Sequence, residues 1–210
     1  MNKGFLLLLI SAFVFSLSTV FAKLVLQMSQ IPAVEITFFR FLSGFIGVLF
    51  YISICKKSIV PNKFSYIFYR ALFNSIAVIC FFIGIKYTTI TNANLLNMTY
   101  PIFVFFIAPF INKESVTGKY YLYLIITVIG LYLLIIKNPM SLFSGGINIG
   151  DLFALASAIL ASFAITTLRE ARKYDDSHVI LLYLMGIGTV INFFLVVNYF
   201  VIPKGLVLIY

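Results

Sequence analysis

Apolar residues fill this chain in seven long stretches separated by short polar segments. The stretches lie at 4–26, 33–54, 70–90, 92–111, 120–136, 150–168 and 179–202. A helix that crosses a bilayer needs about 20 mostly apolar residues, so each stretch is read as one membrane-spanning helix. The longest connections, 55–69 and 137–149, carry Pro61 and Pro139, with Gly145 and Gly146 in the second. These lengths suit helix connections and leave no room for a soluble catalytic or binding domain. Any function must therefore lie among the helices. Lys3, the apolar run after it and Val20-Phe21-Ala22 also resemble a signal peptide with its cleavage site. The six later stretches make the protein polytopic in either case.

Composition agrees with a bilayer as solvent. Apolar residues make up 62% of the 210 residues and charged residues 10%, with a mean hydropathy of +1.11. Ordinary soluble domains hold roughly 45–50% apolar and 25% charged residues. Two cysteines, Cys55 and Cys80, cannot build a disulfide framework or a zinc cluster. The single histidine, His178, leaves little for metal binding or acid–base chemistry. No histidine or aspartate pair lies inside a span, which argues against an intramembrane enzyme, and nothing calls for a cofactor. The net charge of +9 comes from Lys and Arg scattered between apolar runs, with no basic stripe for nucleic acid.

Those basic residues set an orientation. With the N-terminus inside, the cytoplasmic segments hold Lys3, Lys56, Lys57, Lys63, Arg70, Lys113, Lys119, Arg169, Arg172 and Lys173. The outer side holds Lys23, Lys86, Lys137 and Lys204. Such an excess on one side marks it as cytoplasmic, and seven spans then place the C-terminus outside.

A shift of 146 positions lays the first stretch on the sixth. Gly4 falls on Gly150, Leu6 on Leu152, Leu9 on Leu155, Ser11 on Ser157, Ala12 on Ala158, Ser16 on Ser162 and Lys23 on Arg169. Five helices separate the copies, and an odd number inverts the second in the membrane. Inverted repeats are a signature of secondary transporters, which rock one repeat against the other around a site at their interface.

Several motifs carry a family resemblance. They are Phe38-Phe39-Arg40-Phe41, the Asn74–Gly84–Tyr87 region, Thr88 through Leu96, Tyr100-Pro101-Ile102-Phe103, Gly130, and Gly150 through Ala158. In order and spacing the chain resembles the EamA-type members of the drug/metabolite transporter superfamily. That resemblance implies an all-α helical bundle of ten spans in two inverted five-helix repeats, moving small metabolites across the cytoplasmic membrane. Seven spans here give one complete repeat, residues 1–136, and two helices of a second, residues 150–210. Helices eight to ten would be missing. Two readings of function follow: a permease for a small-molecule substrate working by alternating access in the plasma membrane, or a truncated, non-transporting partner of a split transporter. A homo-oligomer, or separately encoded remaining helices, would then cover polar edges at Asn192 and at the Asn97 kink that otherwise meet lipid.

Within the spans, Arg40 is the most informative residue. It sits seven residues into the second stretch, about 10 Å from that helix end. A membrane arginine costs roughly 2.5–3.5 kcal/mol at a helix centre. It must face a partner, backbone carbonyls or a wet cavity, either attracting an anionic or carboxylate-bearing substrate or anchoring the helix. Glu35 is five residues away and lies on a different face, so a partner from another helix is expected. Asn94 and Asn97 share a face in the fourth stretch, and Tyr100 follows at the same spacing. Pro101 has no N–H for the Asn97 carbonyl, which predicts a kink and a freed polar group. Ser11, Ser16, Asn74 and Asn192 could add polar contacts along a substrate path. Ala12 with Ser16, and Ala154 with Ala158 and Ser162, have the small-residue spacing of close helix packing. Asp151 reads as a helix cap, and Glu114, Glu170, Asp175 and Asp176 as solvated loop carboxylates. No carboxylate lies near mid-membrane to support proton coupling.

With Cys55 and Cys80 removed, a cysteine at position 146 should react with a membrane-impermeant thiol reagent in intact cells, and one at position 61 should not. The opposite pattern would reverse the assigned orientation.

Overall fold

The computed structural model describes residues 3–28, 31–112, 118, 121–122, 124–126, 129–130 and 148–197. All regular structure among them is helical. The helices are α1 (Lys3–Met28), α2 (Ala33–Cys55), α3 (Phe64–Tyr87), α4 (Ile90–Asn97), α5 (Tyr100–Asn112), α6 (Ile149–Ala171) and α7 (Ser177–Val196). With α4 and α5 taken as one span, six are long and apolar enough to cross a membrane. The chain is an all-α polytopic membrane bundle, as the stretches predict. Most of the stretch at 120–136, the loop after it, Glu114 and the residues after 197 lie outside the described residues.

Helix α3 begins at Phe64 rather than near residue 70. The aromatic and apolar run Phe64–Tyr69 extends the helix beyond the predicted span, and Ile67 is fully buried against Ala171, Val179 and Ile180. Part of the expected loop is therefore packed helix.

Helix α3 is the centre of the bundle and lies antiparallel to α6. In a bilayer no hydrophobic force drives helices together, so association depends on close packing and hydrogen bonds. Here the contact is bare backbone. A Cβ on Gly84 would stand 3.1 Å from the Gly150 carbonyl oxygen and 3.3 Å from the Ala154 Cβ. A Cβ on Gly150 would stand 2.8 Å from the Thr88 nitrogen and the Tyr87 carbonyl carbon. Ala154, Ala158 and Ser162 are all fully buried on α6. On α1, by contrast, Ala12 and Ser16 are exposed, so the same spacing does no packing there among the described residues.

Hydrogen bonds close both ends of this pair. At one end Thr88 donates to Asp151 Oδ1 (2.8 Å), and the Asn148 amide donates to the Tyr87 carbonyl (2.8 Å). Asn148, not Asp151, caps α6, accepting from the Gly150 N–H (3.3 Å). Asp151 ties α6 to α3 instead. At the other end Asp175 is buried and accepts the backbone N–H groups of Asn62 (2.5 Å) and Lys63 (3.1 Å). The Asn62 amide donates to the Tyr174 carbonyl (2.7 Å), and the Tyr174 ring stacks on Tyr66. Asp175 is therefore not solvated. Neither is Glu170, which is buried and pairs with Lys173 (2.5 Å).

Helices α2 and α7 pack through a second set of glycines. Phe41 lies over Gly188, Phe45 over Gly186, and Met185 over Gly44. Asn192 is fully buried in this seam, contacting the Thr37 hydroxyl and donating to the Gly188 carbonyl (2.7 Å). The expectation that Asn192 would face lipid is thereby corrected. Its amide is spent on holding α7 against α2.

Gly150→Ala should lower stability by about 1–3 kcal/mol, because the new methyl meets backbone that cannot rotate away. Gly47 has open space around it in mid-α2, so Gly47→Ala should stabilise by about 0.5–1 kcal/mol. Thermal unfolding in detergent reads both, and equal effects would remove the special role given to the α3–α6 contact.

Candidate substrate cavity

The polar residues of three helices meet in one place. A cavity of about 300 Å³ at the middle of the bundle is lined by Arg40 of α2, Asn74 of α3 and Asn97 of α4, with Phe15, Phe41 and Phe81 among its apolar walls. Ala161 of α6 and Met185 of α7 close it on the far side. Phe41 reaches this wall because Gly188 leaves it room.

Arg40 finds partners on two other helices, but they are aromatic rings rather than carboxylates. Its guanidinium carbon lies 5.0 Å from the ring centroid of Phe15 and 5.7 Å from that of Phe82. Each contact contributes up to about 2 kcal/mol when desolvated. Together they offset an insertion cost of roughly 2.5–3.5 kcal/mol. A ring attracts the guanidinium through its quadrupole and supplies no oxygen acceptor for the five N–H donors. Among the described residues none of those donors has a protein acceptor. The arrangement is thus a cation beside two aromatic rings at the cavity wall.

The fourth span breaks at Met98–Thr99, between α4 and α5. Thr89 starts α4 by accepting the Asn92 N–H at 3.1 Å. At the break Thr99 turns both its N–H (3.1 Å) and its hydroxyl (2.6 Å) onto the Leu96 carbonyl, and Pro101 has no N–H for the Asn97 carbonyl. The Asn97 amide crosses to α6 and donates to Ser157 Oγ (2.8 Å), whose own hydroxyl donates to the Ala154 carbonyl (2.6 Å). The break is therefore pinned to α6 beside the cavity, with the Met98 side chain at the break exposed.

Of the other sequence candidates, Asn94 and Tyr100 are partly buried near the break but outside the cavity lining, as is Pro101. Ser11 and Ser16 lie on the exposed face of α1, and Asn192 sits in the α2–α7 seam. Phe15, Phe82 and Ser157 carry much of the geometry and were not anticipated as site residues. Ser157 had a signal, as the repeat partner of Ser11. One phenylalanine among 24 has none.

The described helices form a membrane bundle with a polar-lined cavity beside a broken helix, and the class of protein follows from its relatives. The chain belongs to the EamA-like transporter family, whose model matches residues 2–136. It is 24% identical to the pseudopaline exporter CntI of Pseudomonas aeruginosa over 98% of this chain and 70% of that protein. It is 25% identical to human solute carrier family 35 member G1 over 89% of this chain and 53% of that protein. It is also 25% identical to an uncharacterized transporter of Helicobacter pylori over 60% of this chain and 41% of that protein. No solved structure matches it.

Proposed function

We propose that the chain carries a small anionic or carboxylate-bearing metabolite across the plasma membrane, with Arg40, Asn74 and Asn97 lining its path. The observation that carries this reading is the shared cavity, with the Arg40 donors turned to no protein acceptor among the described residues. The exporter named among the relatives supports solute movement. On this reading residues 1–136 form one repeat, 150–210 part of its inverted copy, and the Lys3 end of α1 is cytoplasmic.

Alternating access then falls to particular helices. Hydrogen bonds join α3 to α6 and the α2–α3 loop to the α6–α7 loop, and glycine contacts join α2 to α7. These four helices form a frame. Near the middle of α1, Phe15 contacts Arg40, and among the described residues the hydrogen bonds from α1 to another helix lie toward one end, where Lys23 donates to the carbonyls of Ile85 and Thr88. Ala22 and Leu26 are buried there, whereas Leu8 and Phe13 toward the other end are about 70% exposed, at 71% and 69%. Helix α1 is the moving part.

Anions that co-purify with the protein should be at least ten-fold depleted in Arg40→Gln, measured by mass spectrometry against equal amounts of folded protein. An unchanged anion profile would remove Arg40 from the path.

Spin labels at Val60 and Tyr174 should give one narrow distance, and labels at Phe13 and Leu181 two populations or a shift when the co-purified anions are added. A fixed Phe13–Leu181 distance with a variable Val60–Tyr174 distance would make the loop clasp the gate instead.

A further inference from the structure

A second cavity, of about 340 Å³, lies between α1, α2 and α3 and is lined by Leu17, Ser18, Phe21, Val25, Ile36 and Phe82, among others. Arg40 is the residue common to its lining and that of the central cavity. Of the two rings near the guanidinium, Phe82 lines the α1-side chamber and Phe15 the central one. The two chambers differ in chemistry. The central one offers the amides of Asn74 and Asn97 beside the charge. Among the described residues the α1-side one offers, apart from Arg40, a single hydroxyl, Ser18, among aliphatic and aromatic walls.

We propose that the two chambers form one site for an amphipathic organic anion, resting on the anion-carrier reading above. Its charged group sits at the Arg40 N–H edge, its hydrogen-bonding groups face Asn74 and Asn97, and its apolar group fills the α1-side chamber. Three points support this occupant. A charge placed at the junction fixes where the anionic group goes. An apolar cavity of about 150 Å³ already accepts benzene, so a phenylalkyl group fits the larger chamber. Burying that group adds affinity that a bare carboxylate cannot gain. The site therefore discriminates against small hydrophilic acids, which leave the apolar chamber unfilled, and against cations of any shape, which Arg40 repels. The chamber's α1 wall includes Leu17 and Ser18, on the part of that helix between its held and exposed ends, so the apolar group bears on the helix assigned to move.

Binding of radiolabelled 4-phenylbutyrate to the full chain in phosphatidylcholine nanodiscs tests this, with butyrate and 4-phenylbutylamine as competitors. Butyrate should compete at least ten-fold more weakly than unlabelled 4-phenylbutyrate, and 4-phenylbutylamine not at all. Ser18→Phe, which places a ring in the chamber, should bring the preference for 4-phenylbutyrate over butyrate close to one. Val14→Phe, made from the exposed side of the same wall, should lower that preference too if Ser18→Phe does not fold. Arg40→Gln should lose both acids. Equal binding of the two acids in the unaltered protein, with both lost in Arg40→Gln, would overturn the chamber and leave the anion site standing. Binding of neither acid would remove the anion site and the chamber with it. Loss of 4-phenylbutyrate when phosphatidylglycerol replaces part of the neutral lipid would make the chamber a lipid site and overturn the proposal.

Discussion

The bundle depends on two helices touching through backbone. Gly84 and Gly150 bring α3 and α6 closer than any side chain would allow. In lipid this closeness replaces the hydrophobic effect as the source of cohesion, since tails solvate leucine as well as another helix does. The position of α6 then decides the rest. It sets Ser157 where the Asn97 amide can reach it, and that bond holds the broken span against the cavity. It also brings the α6–α7 loop under the α2–α3 loop, where Asp175 gathers two backbone N–H groups. A carboxylate bonded in this way contributes more than a surface ion pair, because charge-assisted bonds in a buried setting are about twice as strong as neutral ones.

The cavity follows from what the same packing leaves unfilled. The frame packs its glycines and alanines against itself, so Phe41 and Phe81, with Phe15 from α1, wall a space that they do not occupy. Arg40 is tolerated because the rings of Phe15 and Phe82 attract its charge within the apolar bundle. A lysine could not be held in this way, since its ammonium has no plane to stack and is more strongly hydrated. The arrangement separates the cost of burying a charge from the use of that charge.

Much of this was legible in the chain. Apolar length located the six spans found among the described residues, and Pro101 located the break to within three residues, because both rules concern a single helix in its solvent. Arg40, Asn74 and Asn97 stood out as polar groups in an apolar run, and they share one cavity. Tertiary choices were less readable. Asn192 looked like an orphan and is satisfied by Thr37 and Gly188, a pairing no spacing rule contains. Asp175 looked like any loop carboxylate until another loop closed over it. Ser11 and Ser157 occupy repeat-related positions, yet one is exposed and the other buried, because the neighbours of α1 and α6 differ even where their sequences agree.

The order in which the partners of Arg40 occur along the chain bears on how the protein is made. Phe15 precedes Arg40, so when α2 enters the membrane one aromatic face is already there to receive the guanidinium. Phe82 follows 42 positions later, which at about 5–20 residues per second is a wait of roughly 2–8 seconds. During that interval α1 is the arginine's companion in lipid. The Lys23 contact to α3 forms only after Ile85 and Thr88 have been synthesised. The first two helices thus travel as a pair joined by a cation and a ring, and α3 completes the stack on arrival. The residue shared by the two cavities is also the one whose ring partners lie on the first and third helices.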